Sequence, residues 1–234
     1  MKDFIISPPF GMYFSHPNAT SVKGSYTWER RKGLILQVLK TVRPTKGGWV
    51  NKIGLRNPGI RDVEFVHGNI YSIAGINDGD WTKLLTYIPH GHLVELNYSC
   101  PNVHHYNIDD EAIKLAVRNH VTIVKIAPVA GAEVAVEMAV NAGAHHIHLT
   151  NALPVEQGGE SGGKLKQWSL RLVREIREQY PDISIIGGGG IYSVNDVYEY
   201  RKSGANKFSL STAFMVPFRA KKIINDYYKP YPAL

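Results

Sequence analysis

Short runs rich in isoleucine, valine and leucine recur along the chain: FIIS near the start, LILQVLK (residues 34–40), YSIAGI (71–76), then LVELNYS, TIVKIAP, HHIHLTN, ISIIGGGG and KFSLST. Continuous apolar runs separated by segments of helical spacing are what a parallel sheet under a layer of helices requires. Helical spacing is clearest over residues 132–142, 169–179 and 194–202. The last of these opens with Ser193 and Asp196 at capping-box spacing and stops at Gly204, so both of its ends are written locally. Eight candidate strands alternating with helices predict an α/β fold, a single (β/α)8 TIM barrel with parallel strands. A length of 234 residues just accommodates it, since such barrels typically take roughly 250. No repeat, low-complexity tract or linker breaks the pattern, so residues 1–234 are expected to form one barrel domain. Residues 8–31 fit no element in this reading.

Composition narrows the function classes. With 44% hydrophobic, 20% charged and 10% aromatic residues, the chain can fill a large core. Lys and Arg number 27 against 20 Asp and Glu, a net charge of +7. The basic residues are dispersed; Arg30-Arg31-Lys32 is the longest run and no aromatic platform interleaves it. That pattern favours an anionic small ligand over nucleic acid. Cys100 is the sole cysteine, which excludes an internal disulfide and points to a reducing cytoplasm. No stretch approaches the ~18 apolar residues of a membrane span, so a soluble protein without membrane contact is expected.

In a parallel barrel the chemistry lies at the C-terminal ends of the strands, and the ends of these runs are polar. They supply Lys40-Thr41, the segment Asn97-Tyr98-Ser99-Cys100-Pro101-Asn102, Lys125, Thr150-Asn151, Gly187 to Gly190, and Ser211-Thr212. A lone cysteine is either a buried inert thiol or a nucleophile or base. A loop asparagine is either a turn former or a ligand whose carboxamide both donates and accepts. Lys125 lies between Val124 and Ile126 in an apolar strand, where a solvated lysine is not expected. Glycines 187–190 are either a flexible turn or a phosphate cradle at a helix N-terminus; their place after the seventh run favours the cradle, which Thr212 would complete. His146 and His148 share a strand face, but without a carboxylate pair they make an incomplete metal site, so packing roles and no metal are expected.

Seven segments in order, NKIGLRNPG (51–59), ELNYSCPN (95–102), VKIAP (124–128), LTN (149–151), GGESGGKLK (158–166), IIGGGGIYS (185–193) and SLSTAF (209–214), resemble the dihydroorotate dehydrogenase family. The match is to the soluble, cysteine-base class, in a shortened form, and it covers most of the chain after Lys40. The resemblance implies FMN-dependent oxidation of dihydroorotate to orotate in pyrimidine biosynthesis. Cys100 would remove a proton from C5 of the substrate while hydride leaves C6 for flavin N5. Lys40, Asn51, Gly54, Leu55, Asn97, Asn102 and Asn151 would bind the substrate. Ser7, Lys40, Lys125, Gly159, Gly189, Gly190, Ser211 and Thr212 would bind FMN, with Lys125 at the N1 and C2 edge.

The sequence also departs from the family. Pro8 replaces a glycine in the first flavin-contacting turn and removes an N–H donor there. Ser211 replaces a glycine before Thr212. The connection between Asn151 and Gly158 is six residues long where relatives insert an excursion, and residues 103–109, with His104 and His105, take the place of a lid over the site. These changes leave two further readings: an FMN barrel acting on another dihydropyrimidine or enone, and a barrel that has lost turnover. The resemblance further implies a homodimer. The electron acceptor stays open between fumarate, a nicotinamide reached through a partner subunit and some other acceptor, with quinone disfavoured.

Overall fold

The computed structural model describes residues 1–100 and 109–229. Eight parallel strands close into a barrel: β1 (Phe4–Ile6), β2 (Ala19–Tyr26), β5 (Ile70–Ile73), β6 (Leu93–Asn97), β7 (Val121–Ile126), β8 (His146–Leu149), β11 (Ser184–Gly188) and β12 (Lys207–Leu210). They pair in chain order, and β1 hydrogen-bonds to both β2 and β12 to close the ring. Two hairpins stand outside it. Strands β3 (Arg43–Thr45) and β4 (Gly48–Asn51) belong to the connection after β2, and β9 (Leu153–Val155) and β10 (Gly158–Gly162) to the connection after β8. Antiparallel pairing of β4 with β10 joins them into one four-stranded sheet.

Side-chain alternation splits the apolar residues into two cores. Inward-pointing Ile5, Val22, Ile70, Ile123 and Ile186 fill the barrel floor with Leu93. Their outward neighbours, among them Phe4, Tyr71, Val94, Val124, Ile147, Ile185 and Phe208, pack beneath the helices. Those helices are α2 (Asp80–Tyr87), α3 (Asp110–Asn119), α4 (Ala132–Asn141), α5 (Leu165–Gln179), α6 (Val194–Lys202) and α7 (Pro217–Tyr227). The expected capping box of α6 is present: Ser193 Oγ accepts from the Asp196 N–H, and the Asp196 carboxylate accepts from the Ser193 N–H. Helix α5 begins four residues earlier than the sequence pattern suggested. No helix among the described residues is long and apolar enough to cross a membrane.

The second strand is not where the sequence pattern put it. LILQVLK forms helix α1 (Leu34–Thr41), which has no buried residue and leaves Ile35 and Leu39 mostly exposed. A seven-residue apolar run fits helix and strand alike, and this one follows Gly33, whose φ of 88° turns the chain before the helix. The true second strand, ATSVKGSY, lies in the segment that fitted no element. Its low hydrophobicity has a cause: Val22 is its contribution to the barrel floor, while Ser25 turns toward the polar layer above.

A polar layer above the barrel floor

Directly above the isoleucine floor the inward positions change from apolar to polar. Ser7, Ser25, Ser72, Glu95, Asn97, Lys125, His148 and Ser209 are all buried there. Burial of so many polar groups requires mutual hydrogen bonds, and these are made. Ser7 and Ser209 hydroxyls lie 2.6 Å apart, and those of Ser25 and Ser72 2.8 Å. Asn97 Nδ2 donates to Ser25 Oγ at 2.9 Å. Asn151 Nδ2 donates to Asn97 Oδ1 at 2.9 Å and to Ser99 Oγ at 3.1 Å, and Ser99 Oγ donates to the Lys125 carbonyl at 3.2 Å. Two of the expected substrate asparagines, Asn97 and Asn151, are thus brought into direct contact beside Lys125.

Cys100 follows three residues after β6 and is buried. Between Asn97 and Cys100, Tyr98 points outward into the helix-covered core, where its ring lies 4.5 Å from that of Trp81 and its hydroxyl donates to the Asp109 carbonyl. Burial, with Asp109 close by, pushes the Tyr98 phenol far above its usual range. The anchor leaves residues on either side of Tyr98 to face the barrel mouth. Asn102 and residues 103–108 of the expected lid lie outside the described residues.

A cation that sequence reasoning missed stands near Cys100. Burial pushes the Arg31 guanidinium down, helped by Arg56, while the Cys100 sulfur within electrostatic reach pulls it back up. Arg31 Nε donates to the Gly54 carbonyl at 2.9 Å, and its backbone exchanges two hydrogen bonds with Asn57. Asn57 is the second omission. Its side chain accepts from the N–H groups of Thr27 and Gly59 and donates to Thr27 Oγ1 and the Leu55 carbonyl. These bonds hold Leu55 at φ 52°, a left-handed conformation that a γ-branched residue adopts only under constraint. Gly54 and Leu55, both expected at the substrate, therefore sit in a loop clamped to Arg31.

The remaining expected positions divide into four groups. Asn51 and Gly159 are register partners in the sheet of the two hairpins, so a substrate-side and a flavin-side residue meet there. Gly189 and Gly190 follow β11 with φ of 98° and 69°, and a Cβ on Gly189 would lie 3.0 Å from Leu165 Cβ and 3.1 Å from Thr150 Oγ1. The buried hydroxyl of Tyr200 on α6 contacts the Gly188 and Gly189 carbonyls at 2.7 Å and ties the glycine turn to that helix. Ser211 precedes a 3-10 turn at Thr212–Met215, and Thr212 Oγ1 accepts from the Tyr192 hydroxyl. Lys40 does not join the site. It lies on exposed α1 rather than at a strand end, and the inward end of the true second strand is held by Ser25.

Of the two strand-face histidines, His148 is fully buried. A carboxylate does approach His148: Glu95 Oε2 lies 2.7 Å from its Nδ1. Glu95 is two residues before Asn97 on the same strand face, so period-2 alternation was the signal that could have placed it in the site. Among the described residues no cluster of three or more His, Cys, Asp or Glu is placed to hold a metal ion.

A closed parallel barrel with a thiol, a carboxamide pair and a buried ammonium at the C-terminal ends of its strands has the architecture of a (β/α)8-barrel enzyme. Comparison with known proteins specifies which. The family model described as dihydroorotate dehydrogenase matches residues 21–229. The dihydroorotate dehydrogenase B (NAD(+)) catalytic subunit of Listeria monocytogenes serotype 4b (strain CLIP80459) is 32% identical, with 79% of this chain and 73% of the relative covered. The protein of the same name from Bacillus mycoides (strain KBAB4) is 33% identical over 79% and 72%. A crystal structure of ligand-free DHODH from Eimeria tenella shares the fold, with a TM-score of 0.70 at 14% identity, covering 96% of this chain and 82% of that one. The chain belongs to the dihydroorotate dehydrogenase family and is an oxidoreductase.

Proposed function

We propose that the protein oxidises dihydroorotate to orotate, with FMN as hydride acceptor and Cys100 as the base. The observation that carries this reading is the convergence on one barrel mouth of Cys100, the Asn97–Asn151 pair, the Arg31-clamped loop at Gly54 and Leu55, and the buried ammonium of Lys125. The relatives named above bear the same activity in their names.

The residues fit a flavin mononucleotide. Gly189 and Gly190 form a turn too tight for a side chain, of the kind that lets backbone amides approach a phosphate. In this reading Thr212 gives its hydroxyl to the phosphate, Ser7 and Gly159 contact the flavin, and Ser211 takes the phosphate side. Lys125 supplies a fixed cation that favours negative charge on a reduced ring. Bound FMN provides the acceptor for hydride at N5.

Each protein group then has one task. Asn97 and Asn151, which bond each other in this structure, exchange that bond for the amide and imide edges of the substrate ring, joined by Asn51 and Asn102. The Gly54–Leu55 backbone presents its polar groups from the clamped loop. Cys100, as thiolate, takes the C5 proton while the C6 hydride departs. Arg31 stabilises the thiolate electrostatically, which a thiol of ordinary pKa near 8.5 needs at neutral pH. A nicotinamide served by a partner subunit is the electron acceptor we favour, on the strength of the relatives' names.

Anaerobic addition of dihydroorotate to the FMN-loaded protein tests the reading. Rapid bleaching of the flavin with formation of orotate is expected. Absence of bleaching by dihydroorotate, with bleaching by another dihydropyrimidine or enone, would transfer the same machinery to that substrate.

A further inference from the structure

One buried charge cluster has no task in the mechanism above. The Glu95 carboxylate is about 1% exposed and the His148 ring is fully buried. An ionised carboxylate in such a place is strongly destabilising unless it is paired and hydrogen-bonded. Glu95 has three neighbours: His148 Nδ1 at 2.7 Å from Oε2, the Ser72 hydroxyl, and Lys125 Nζ at 3.7 Å from Oε1. The last distance is too long for a hydrogen bond, and Oε1 has no hydrogen-bond partner. The ion pair is therefore open. One oxygen is bound by the imidazole, and the ammonium stands off from the other.

The imidazole is suited to this duty. Its Nε2 is buried with no hydrogen-bond partner, so the tautomer carrying its proton on Nδ1 donates to Glu95 without burying an unpaired N–H. A neutral donor ties the carboxylate down and adds no charge of its own. The floor immediately below is isoleucine, where apolar residues in place of the pair would be tolerated or favoured. The pair sits instead behind the one lysine that faces the barrel mouth from β7.

We propose that His148 and Glu95 are positioning residues that set how much positive charge Lys125 presents to the flavin, a statement that rests on the reading of FMN beside Lys125. Glu95 offsets part of the ammonium charge, and His148, by holding the carboxylate, keeps that offset incomplete. Removal of the two groups should then act in opposite directions. Glu95→Gln removes the offset and raises the reduction potential of bound FMN. His148→Leu releases the carboxylate to close on Lys125 and lowers it. His148→Gln, whose amide still donates, stays near the wild type.

The experiment is a spectroelectrochemical titration of FMN-loaded wild type and the three variants. Shifts equivalent to at least tenfold in the ratio of reduced to oxidised flavin binding are expected, about 30 mV for a two-electron couple. Loaded variants with unchanged potentials, or with shifts of the same sign in Glu95→Gln and His148→Leu, overturn the proposal and leave the flavin reading intact. Wild-type protein that takes up no FMN overturns both. Should Glu95→Gln fail to fold, the contrast between His148→Leu and His148→Gln decides alone, with a lowered potential in the first and not the second supporting the proposal and equal potentials ending it.

Discussion

A thiol becomes a base only through what surrounds it, and around Cys100 the informative neighbour is Arg31. Cys100→Ala is expected to retain flavin and orotate binding and to slow flavin reduction by at least ~100-fold, the contribution of a positioned general base. Anaerobic stopped-flow spectroscopy reads it directly, and near-normal reduction would remove Cys100 from the role. Arg31→Gln probes the assistance. A nearby cation favours the charged thiolate, so its loss moves the acid limb of the kcat/KM profile to higher pH; an unmoved limb would show that Arg31 serves the loop alone. Sequence gave little access to this pair of facts. Cys100 sat in a legible motif, but Arg31 belonged to an ordinary basic run. Only the fold, through Asn57, carries that run to the Gly54 loop.

Elements were legible where burial made them apolar and obscure where function made them polar. Seven of the eight expected strands are barrel strands because their outward faces lie under helices, which forces Ile, Val and Leu at alternate positions. Strand β2 was missed because ATSVKGSY spends its positions on small and polar side chains near the site, while the more apolar LILQVLK, free of any sheet, coils into α1. Lys40 goes with it, into the last turn of the helix. The glycine turn after β11 could be read because its backbone requirement is absolute. Gly189→Ala should place a Cβ against Leu165 and Thr150 in a left-handed conformation, costing about 1–3 kcal/mol in stability. It should also weaken FMN binding at least tenfold, by fluorescence titration. Flavin affinity equal to the wild type would dissociate this turn from the phosphate.

At the scale of the molecule, buried and half-buried histidines make acid the chain's weak side. Burial is the leading cause that pushes His120, His146 and His148 below the ordinary imidazole value of 6.5. The unfolded chain therefore takes up protons below pH 6.5 that the folded one refuses, so stability is full above that pH and declines as pH falls toward the folded values. Burial alone would raise Glu95, but Lys125 and His148 hold it at about 2, against an ordinary 4.5, so it adds a loss of the same sign below pH 4.5. Each group so placed costs about 1.4 kcal/mol per pH unit, roughly 3–5 °C in a chain of this size. Thermal melts at pH 7 and pH 5 measure it, and equal midpoints would mean that these imidazoles titrate normally in the fold.

The sheet of two hairpins has a consequence for the order in which the molecule assembles. Its central pairing joins β4 to β10, and Ser161 Oγ donates to the Trp49 carbonyl across 112 residues of sequence. Neither hairpin can find the other until the strands that carry them, β2 and β8, have taken their places on opposite sides of a closing ring. Contacts of such separation are rewarded late, after most of the loop-closure entropy has been spent. Asn51 and Gly159 are therefore expected to come into register after the barrel strands have paired, which makes the mouth of the site a late product of folding on this argument.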